Sequence, residues 1–376
     1  MPFRKVSVME SRTEFVKLAC QEGAIIRQLC RRYRVSSATA YKWIRRYREA
    51  GEAGLTERSR RPRHSPNRSG PEFEGHVLRI RAEQSAWGAA KIRRILRDEG
   101  IEVKAVSTVH AILIRHGKID PEESKKHHAW QRFEHPVPND LWQMDFKGHF
   151  AIRTGQRCHP LTVLDDHSRF LMCLKACENE KGETVQQHLT SVFRQYGLPL
   201  RITMDNGAPW GSDLLHRDTP ITVWLRRIGV RVSHSRPYHP QTQGKDERFH
   251  RTLKAELLRG RNFDAFPAIQ PAMDNYRHVY NQRRPHQAID METPVRRYQV
   301  SPRNFPEFLP PIEYGNSDQV RTVDEKGKIS FKGRKLSVGK GFRGYPVALR
   351  PTEKDGVWDV FFCCDSIAQI DFHSLQ

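Results

Sequence analysis

The chain has 376 residues, 37% of them hydrophobic, and 64 Lys plus Arg against 43 Asp plus Glu give a formal charge of +21. That length predicts several domains with cores of ordinary size. No run approaches the roughly 18 apolar residues of a membrane span, and the start MPFRKVSVMESRTEF lacks the apolar centre of a secretion signal. Seven scattered cysteines (Cys20, Cys30, Cys158, Cys173, Cys177, Cys363, Cys364) without a C-x-x-C pair indicate neither a disulfide framework nor a zinc knuckle, and read as reduced thiols of a cytoplasm. Positive charge spread along the whole chain favours a polyanionic partner, most simply nucleic acid.

From Arg12 to Ala50 apolar residues recur at helical spacing in three bursts, which predicts three helices, with Ser36 or Ser37 capping the third. This is helix-turn-helix punctuation over residues 1–55. Ser37, Thr39, Lys42 and Arg46 on the third helix are the candidate DNA contacts, a mix of short hydrogen-bonders and long cations. Residues 56–71, TERSRRPRHSPNRSGP, are too polar and Pro-rich to build a core and read as a basic linker. Three more bursts follow over residues 72–120, the last starting at Ser107-Thr108 and stopping at Gly117, and read as a second helix-turn-helix domain.

After a charged connector, Lys118 to Pro138, the periodicity changes. Asp140 to Ile152, Leu161 to Asp165 and Phe170 to Ala176 predict a three-stranded antiparallel meander. A helix over Glu183 to Tyr196, a strand at Leu200 to Met204, a helix near Ile221 to Ile228 and a strand at Val230 to Ser233 complete the order of a ribonuclease-H-like mixed α/β sheet, residues 135–300. The alternating tail, 310–376, fits a small β-barrel of SH3 type. The fold class is therefore multidomain: all-α tandem helix-turn-helix, central α/β core, C-terminal SH3-like β-barrel.

Three acids stand out by position. Asp145 sits mid-strand in WQMDFKG, where a carboxylate is costly without a cation. Asp205 ends a strand at TMDNG. Glu247, in HPQTQGKDERFHRTLKAE, opens a helix with Arg251 and Lys254 on its own face. Two strand aspartates and one helix glutamate can hold two Mg²⁺ about 3.5–4 Å apart around a phosphodiester, so that one activates a water or 3′-hydroxyl and the other steadies the leaving oxygen. Arg251 and Lys254 would face the DNA backbone. Asp165 and Asp166 fall at a turn, and Asp246 points about 100° around the helix from Glu247, so these three are set aside.

The segments WQMDFKG, ITMDNGAPW, SRPYHPQTQGKDERFHRTLKAE and YNQRRPHQAIDMETPVRRY resemble the integrase core of bacterial insertion-sequence transposases related to retroviral integrases, the DDE superfamily. TAYKWIRRYREAGEAGLTERSRRP and WGAAKIRRILRDEG with VSTVHAILIRHG resemble the paired helix-turn-helix region of the same transposases. The resemblance implies Asp145, Asp205 and Glu247 as catalytic metal ligands, Mg²⁺ or Mn²⁺ as cofactor, terminal inverted repeats as cognate DNA, and Lys254 as a DNA-end contact. The 41 residues between Asp205 and Glu247 exceed the family's spacing, and the excess is placed in Gly211 to Thr222. The zinc-binding His-His-Cys-Cys set of retroviral integrases is not matched; Cys20 and Cys30 lie within helical periodicity, where buried thiols are expected, and zinc is not predicted.

Trp210 and Pro237-Tyr238-His239-Pro240 flank the site, as candidates for base stacking or for plain packing. His239, His250 and His286 are candidate polar contacts, and Lys332, Arg334, Lys335, Lys340 and Arg343 make the tail basic. No G-x-x-x-x-G-K-[ST] loop calls for ATP. The expectation is a DNA transposase acting on double-stranded DNA, cutting two ends as a homodimer or higher oligomer, cytoplasmic and nucleoid-associated, with no membrane partner. The alternatives are a catalytically silent DNA-binding regulator derived from a transposase and a plain nuclease of ribonuclease H type.

Overall fold

A computed structural model of the protein describes residues 7–58, 68–119, 134–211, 218–234 and 244–374. Most of the basic linker, the Pro237-Tyr238-His239-Pro240 segment and residues 212–217 of the expected insertion lie outside these ranges. The chain divides into two compact units at Arg68/Ser69.

In the first unit, a reciprocal capping box between Ser7 and Glu10 opens α1 (Val8–Ala19), followed by α2 (Ile26–Arg32) and α3 (Ser37–Ala50). Their apolar stripes meet around Phe15, Val16, Cys30, Ala40, Trp43 and Leu55. Of the two serines expected to cap α3 it is Ser36, whose hydroxyl accepts from the Thr39 amide at 3.2 Å. Cys30 is buried as expected, whereas Cys20 is exposed, because it follows the last turn of α1 and points away from the bundle.

The second unit begins with α4 (Pro71–Glu83), α5 (Ala89–Asp98) and α6 (Val106–Arg115). They enclose Val77, Ile80, Trp87, Ile92, Leu96, Ile112 and Leu113, with Val279 of the core packed against them. The capped start expected at Ser107-Thr108 is not formed. Helix α6 begins at Val106 behind Ala105, which offers no side-chain bond, while the stop at Gly117 (φ +64°) is as read.

Next come β1 (Leu141–Phe146), β2 (Phe150–Ala151), β3 (Arg157–Asp165), β4 (Leu171–Cys177), α7 (Gly182–Tyr196), β5 (Arg201–Met204), α8 (Pro220–Arg227), β6 (Arg231–His234) and α9 (Gly244–Leu253). The sheet order is β4-β3-β1-β5-β6, with β2 added to the start of β3. Strands β1, β3 and β4 are antiparallel, whereas β5 and β6 run parallel to β1, the mixed order expected of a ribonuclease-H-like core. Strand alternation gives each face its own core. Trp142, Met144 and Phe146 of β1 join Leu189, Phe193 and Leu225 of α7 and α8 on one side. The other face meets Phe249 and Leu253 of α9, a π turn at Lys254–Leu258, and α10 (Ile269–Gln282). Gln143 and Asp145 alternate onto this second face.

Beyond α11 (Pro294–Arg297), the tail forms β7 (Gln319–Thr322), β8 (Lys328–Phe331), β9 (Arg334–Ser337), β10 (Pro346–Pro351), β11 (Val357–Phe362) and β12 (Asp365–Asp371). The pairing is a four-stranded sheet, β12-β11-β10-β7, plus a separate β8-β9 hairpin. Among the described residues it does not close into the expected SH3-like barrel, because β8 and β9 pair as a hairpin of their own and not with the strands of the four-stranded sheet. The hydrophobic cluster of this sheet includes Val223 of α8, and Arg226 of α8 bonds Asp218 at 3.1 Å and Asp365 of β12 at 2.7 Å. A Cβ on Gly341 would collide with the Asp218 backbone, so the tail packs directly on the start of α8.

Candidate active site

Register decides where the first two acids fall. β1 pairs β5 with Gln143 opposite Thr203, so Asp145, in β1, and Asp205, the residue after the end of β5, come close together at the carboxyl edge of the sheet, where their charges interact. Behind Asp205 the chain turns through Asn206-Gly207, and the Gly207 amide donates to the Asp205 carboxylate at 3.1 Å. His234, at the end of β6, bonds the Asp205 carbonyl through Nδ1 at 2.8 Å.

The third acid comes from α9, which lies across the Gln143/Asp145 face. The Asp246 amide donates to Gln143 Oε1 at 3.2 Å and fixes the helix start to β1. Glu247, Arg251 and Lys254 then share one exposed face, as the spacing predicts, and Asp246 turns inward to 1% exposure.

Asp246, set aside by the sequence reading, therefore lies within the site. One oxygen or nitrogen from each of Asp145, Asp246 and His250 falls within 4.8 Å of the other two, the one group of potential metal ligands among the described residues. Thr162, opposite Asp145 on β3, ties them together: its hydroxyl lies 2.9 Å from the Asp145 carbonyl, 3.2 Å from Asp246 Oδ1 and 2.9 Å from His250 Nε2.

Burial raises the Asp145 carboxyl to about 7, helped by the charges of Asp205, Glu180 and Glu247. Asp205 is raised by burial with a contribution from Glu180, and Asp246 well raised by burial and by Asp145. Burial lowers the His250 imidazole to about 4, aided by the Lys147 charge. Converging carboxylates, all offering oxygen donors, fit a hard divalent ion, which would relieve their repulsion. Glu180, whose carboxylate accepts from His159 Nδ1 at 2.7 Å, was missed in the sequence because it lies in a loop without periodicity. Lys147, in the turn after β1, was missed likewise.

The remaining acids are structural, as read. Asp165 accepts from the Asn139 amide at 2.8 Å and from the Ser168 amide and hydroxyl at 2.7 and 2.6 Å. Asp166 accepts from Gln143 at 2.8 Å and pairs with Lys245. Trp210 is buried and stacked on Phe146 at 5.6 Å, a packing residue rather than a stacking platform for bases. His286 is buried against Tyr280.

Comparison with known proteins locates domains along the chain. Residues 135–240 and 228–294 match integrase core domain models, and residues 318–376 match the IS481 family transposase C-terminal domain. Residues 11–63 match a helix-turn-helix domain and 39–113 a homeodomain-like domain. Helix-turn-helix, integrase core and IS481-type C-terminal matches thus follow one another along the chain. Curated relatives include an uncharacterized 39.2 kDa protein of insertion element IS476 from Xanthomonas euvesicatoria, 26% identical over 43% of this chain and 44% of that protein. An uncharacterized 31.7 kDa protein of insertion element IS407 from Burkholderia multivorans is also 26% identical, over 42% and 54%. The Pro-Pol polyprotein of simian foamy virus type 3 is 31% identical over 43% of this chain and 14% of its own length. The chain thus spans about half or less of the length of these relatives. Among solved structures, the HTLV-2 integrase catalytic core domain in complex with magnesium matches at 16% identity and TM-score 0.34, over 44% of this chain and 99% of that one. A simian T-cell lymphotropic virus intasome in complex with a PP2A regulatory subunit matches at 14% and 0.40, over 79% and 96%.

The N-terminal helix-turn-helix places its candidate contacts unevenly. Ser37 is exposed at the start of α3 and Thr39 is engaged with Ser36. Lys42 and Arg46 fold back over the Trp43 ring, at 4.3 and 5.0 Å from its centre. Tyr41, Arg45 and Arg48, not singled out in the sequence, form the exposed face of the helix instead. In the tail, Lys332 lies 4.5 Å over the Trp358 ring and 5.4 Å over Phe372.

Proposed function

We propose that the protein is a DNA transposase that binds the terminal inverted repeats of its element, hydrolyses a phosphodiester to free a 3′-hydroxyl, and directs that hydroxyl at target DNA. The observation that carries this reading is the closeness of Asp145 and Asp205 at the carboxyl edge of parallel strands, beside the helix that bears Glu247. Two Mg²⁺ or Mn²⁺ ions held by Asp145, Asp205 and Glu247 would supply an activated water or hydroxyl and charge neutralisation at the leaving oxygen.

The chain's own residues do the rest. Arg251 and Lys254, on the face of Glu247, hold the phosphate backbone of the DNA end and set the scissile bond in line. Thr162 and His250 hold Asp145 from behind. The α3 face reads the end sequence, supported by the second helical module, and the basic tail contributes sequence-independent affinity. Concerted cutting of two ends calls for a dimer or higher assembly on DNA. No helix among the described residues is long and apolar enough to cross a membrane.

The test is strand transfer by the purified chain on labelled duplexes carrying the inverted repeats that flank its gene, with Mg²⁺ or Mn²⁺. Metal-dependent joined products that disappear in Asp205→Asn are expected. Specific binding without cleavage under either metal would leave the DNA-binding regulator as the function.

A further inference from the structure

The segment Asn281–Glu292, NQRRPHQAIDME, has no part in the chemistry above, yet it is built as a junction. At one end Arg284, buried, donates from Nε to both Glu256 oxygens at 3.0 Å and approaches them again through Nη2 at 2.9 Å. Glu256 lies in the π turn that ends α9, also receives the Tyr276 hydroxyl at 3.3 Å, and has Lys91 of α5 at 3.8 Å. Tyr280 packs its ring 5.4 Å from the Arg284 guanidinium and against Phe249 at 5.1 Å, two residues from Glu247.

At the other end, the His286 amide bonds the Glu292 carbonyl at 3.0 Å, closing the segment into a small loop. Arg94 of α5, 6% exposed, grips that loop from outside: it donates to the Met291 carbonyl at 2.9 Å and pairs with Glu292 at 3.1 Å. Helix α5 is thus fastened to this segment and to the π turn by two cations one helical turn apart. The π turn is itself a departure from regular helix of a kind found mostly at functional positions.

We propose that this segment is a clamp through which the seating of the second helical module, α4–α6, sets the position of the helix carrying Glu247. Lys91, Arg94, Glu256 and Arg284 are positioning residues, and DNA held by the module bears on the active site through them. The proposal rests on the reading of Glu247 as a site residue.

The variant Lys91→Met/Arg94→Met detaches α5 while leaving the core neutral, because Arg284 and Glu256 remain paired and Asp98 and Glu292, each 35% exposed, can be hydrated. In the full-length chain, hydrogen exchange of amides in 244–258 should quicken by about threefold or more while β1 and β3 are unchanged. Cleavage of an inverted-repeat duplex should lose about tenfold in kcat with end-binding Kd within about twofold. Lys91→Met alone, with the same readouts, should give a smaller change in the same direction, and Lys91→Arg should restore exchange.

Unchanged exchange in 244–258 would overturn the clamp, as would a loss confined to Kd. Should the wild type fail to cleave while the variant still loosens 244–258, the clamp stands and the catalytic reading falls.

Discussion

Asp246 and Glu247 are consecutive residues with opposite surroundings: the first is 1% exposed beneath Thr162 and His250, the second faces solvent with Arg251. Glu247→Gln should therefore leave folding and end binding intact and lower strand cleavage by at least about a hundredfold. Cleavage at the wild-type rate would remove Glu247 from the site.

Asp246→Asn should act on stability. Burial raises the Asp246 carboxyl above its ordinary value, so its contribution is full at low pH and is lost as pH rises through the folded value. An asparagine cannot ionise. The variant's advantage in urea unfolding without metal should grow from pH 5 to pH 8, and a constant difference would show that the carboxyl titrates normally.

Asp145 gives the corresponding metal prediction. With its carboxyl at about 7, the metal-free protein loses stability from about pH 4 upward as this group is forced to ionise, and the loss is complete above pH 7. Mg²⁺ binds the ionised form, so its effect on Tm should be larger at pH 8 than at pH 6, by roughly 2 °C or more. Asp145→Asn should raise the metal-free Tm at pH 8 and abolish the pH-dependent part of the response. A metal effect independent of pH would contradict this.

On α3, Arg45→Ala/Arg48→Ala should weaken end binding and lower the slope of log K against log salt by about 2, one unit for each lost phosphate contact. Lys42→Ala/Arg46→Ala should cost the first unit about 1 kcal/mol through the lost contacts over Trp43. Salt-dependent binding and thermal melting of both variants separate the two effects. A full loss of the salt slope in the Lys42/Arg46 variant would return those residues to the DNA surface.

Gly341→Ala should destabilise the chain by roughly 1–3 kcal/mol, because the added methyl meets the Asp218 backbone rather than a movable side chain. Unchanged melting would mean that the tail sits further from α8.

The strand order, the two helical bundles and the exposed face of Glu247, Arg251 and Lys254 were legible because each rests on local periodicity. Asp145 and Asp205 stand out in the sequence for the same reason, a polar residue inside or ending an apolar run. What was not legible depends on contacts between distant segments. Asp246 looked like the wrong face of its helix because the sequence does not say that the sheet lies on that side. Lys42 and Arg46 looked free because a neighbouring tryptophan offers no periodic signal of capturing them. Glu180 lies in a loop, and its place beside the aspartates comes from the sheet's register. The tail's strands were visible, but closure depends on strand pairing, and β8 and β9 pair as strands with each other and not with the four-stranded sheet.

The shared packing of Val223 has a consequence for how such a chain can be taken apart. A cut near residue 310 would strip an apolar side chain of the catalytic half and strand Arg226 without Asp365, so neither fragment would be a finished surface. Exchanging tails between relatives would require moving α8 with them, and the inheritable module is the tail together with the helix it rests on.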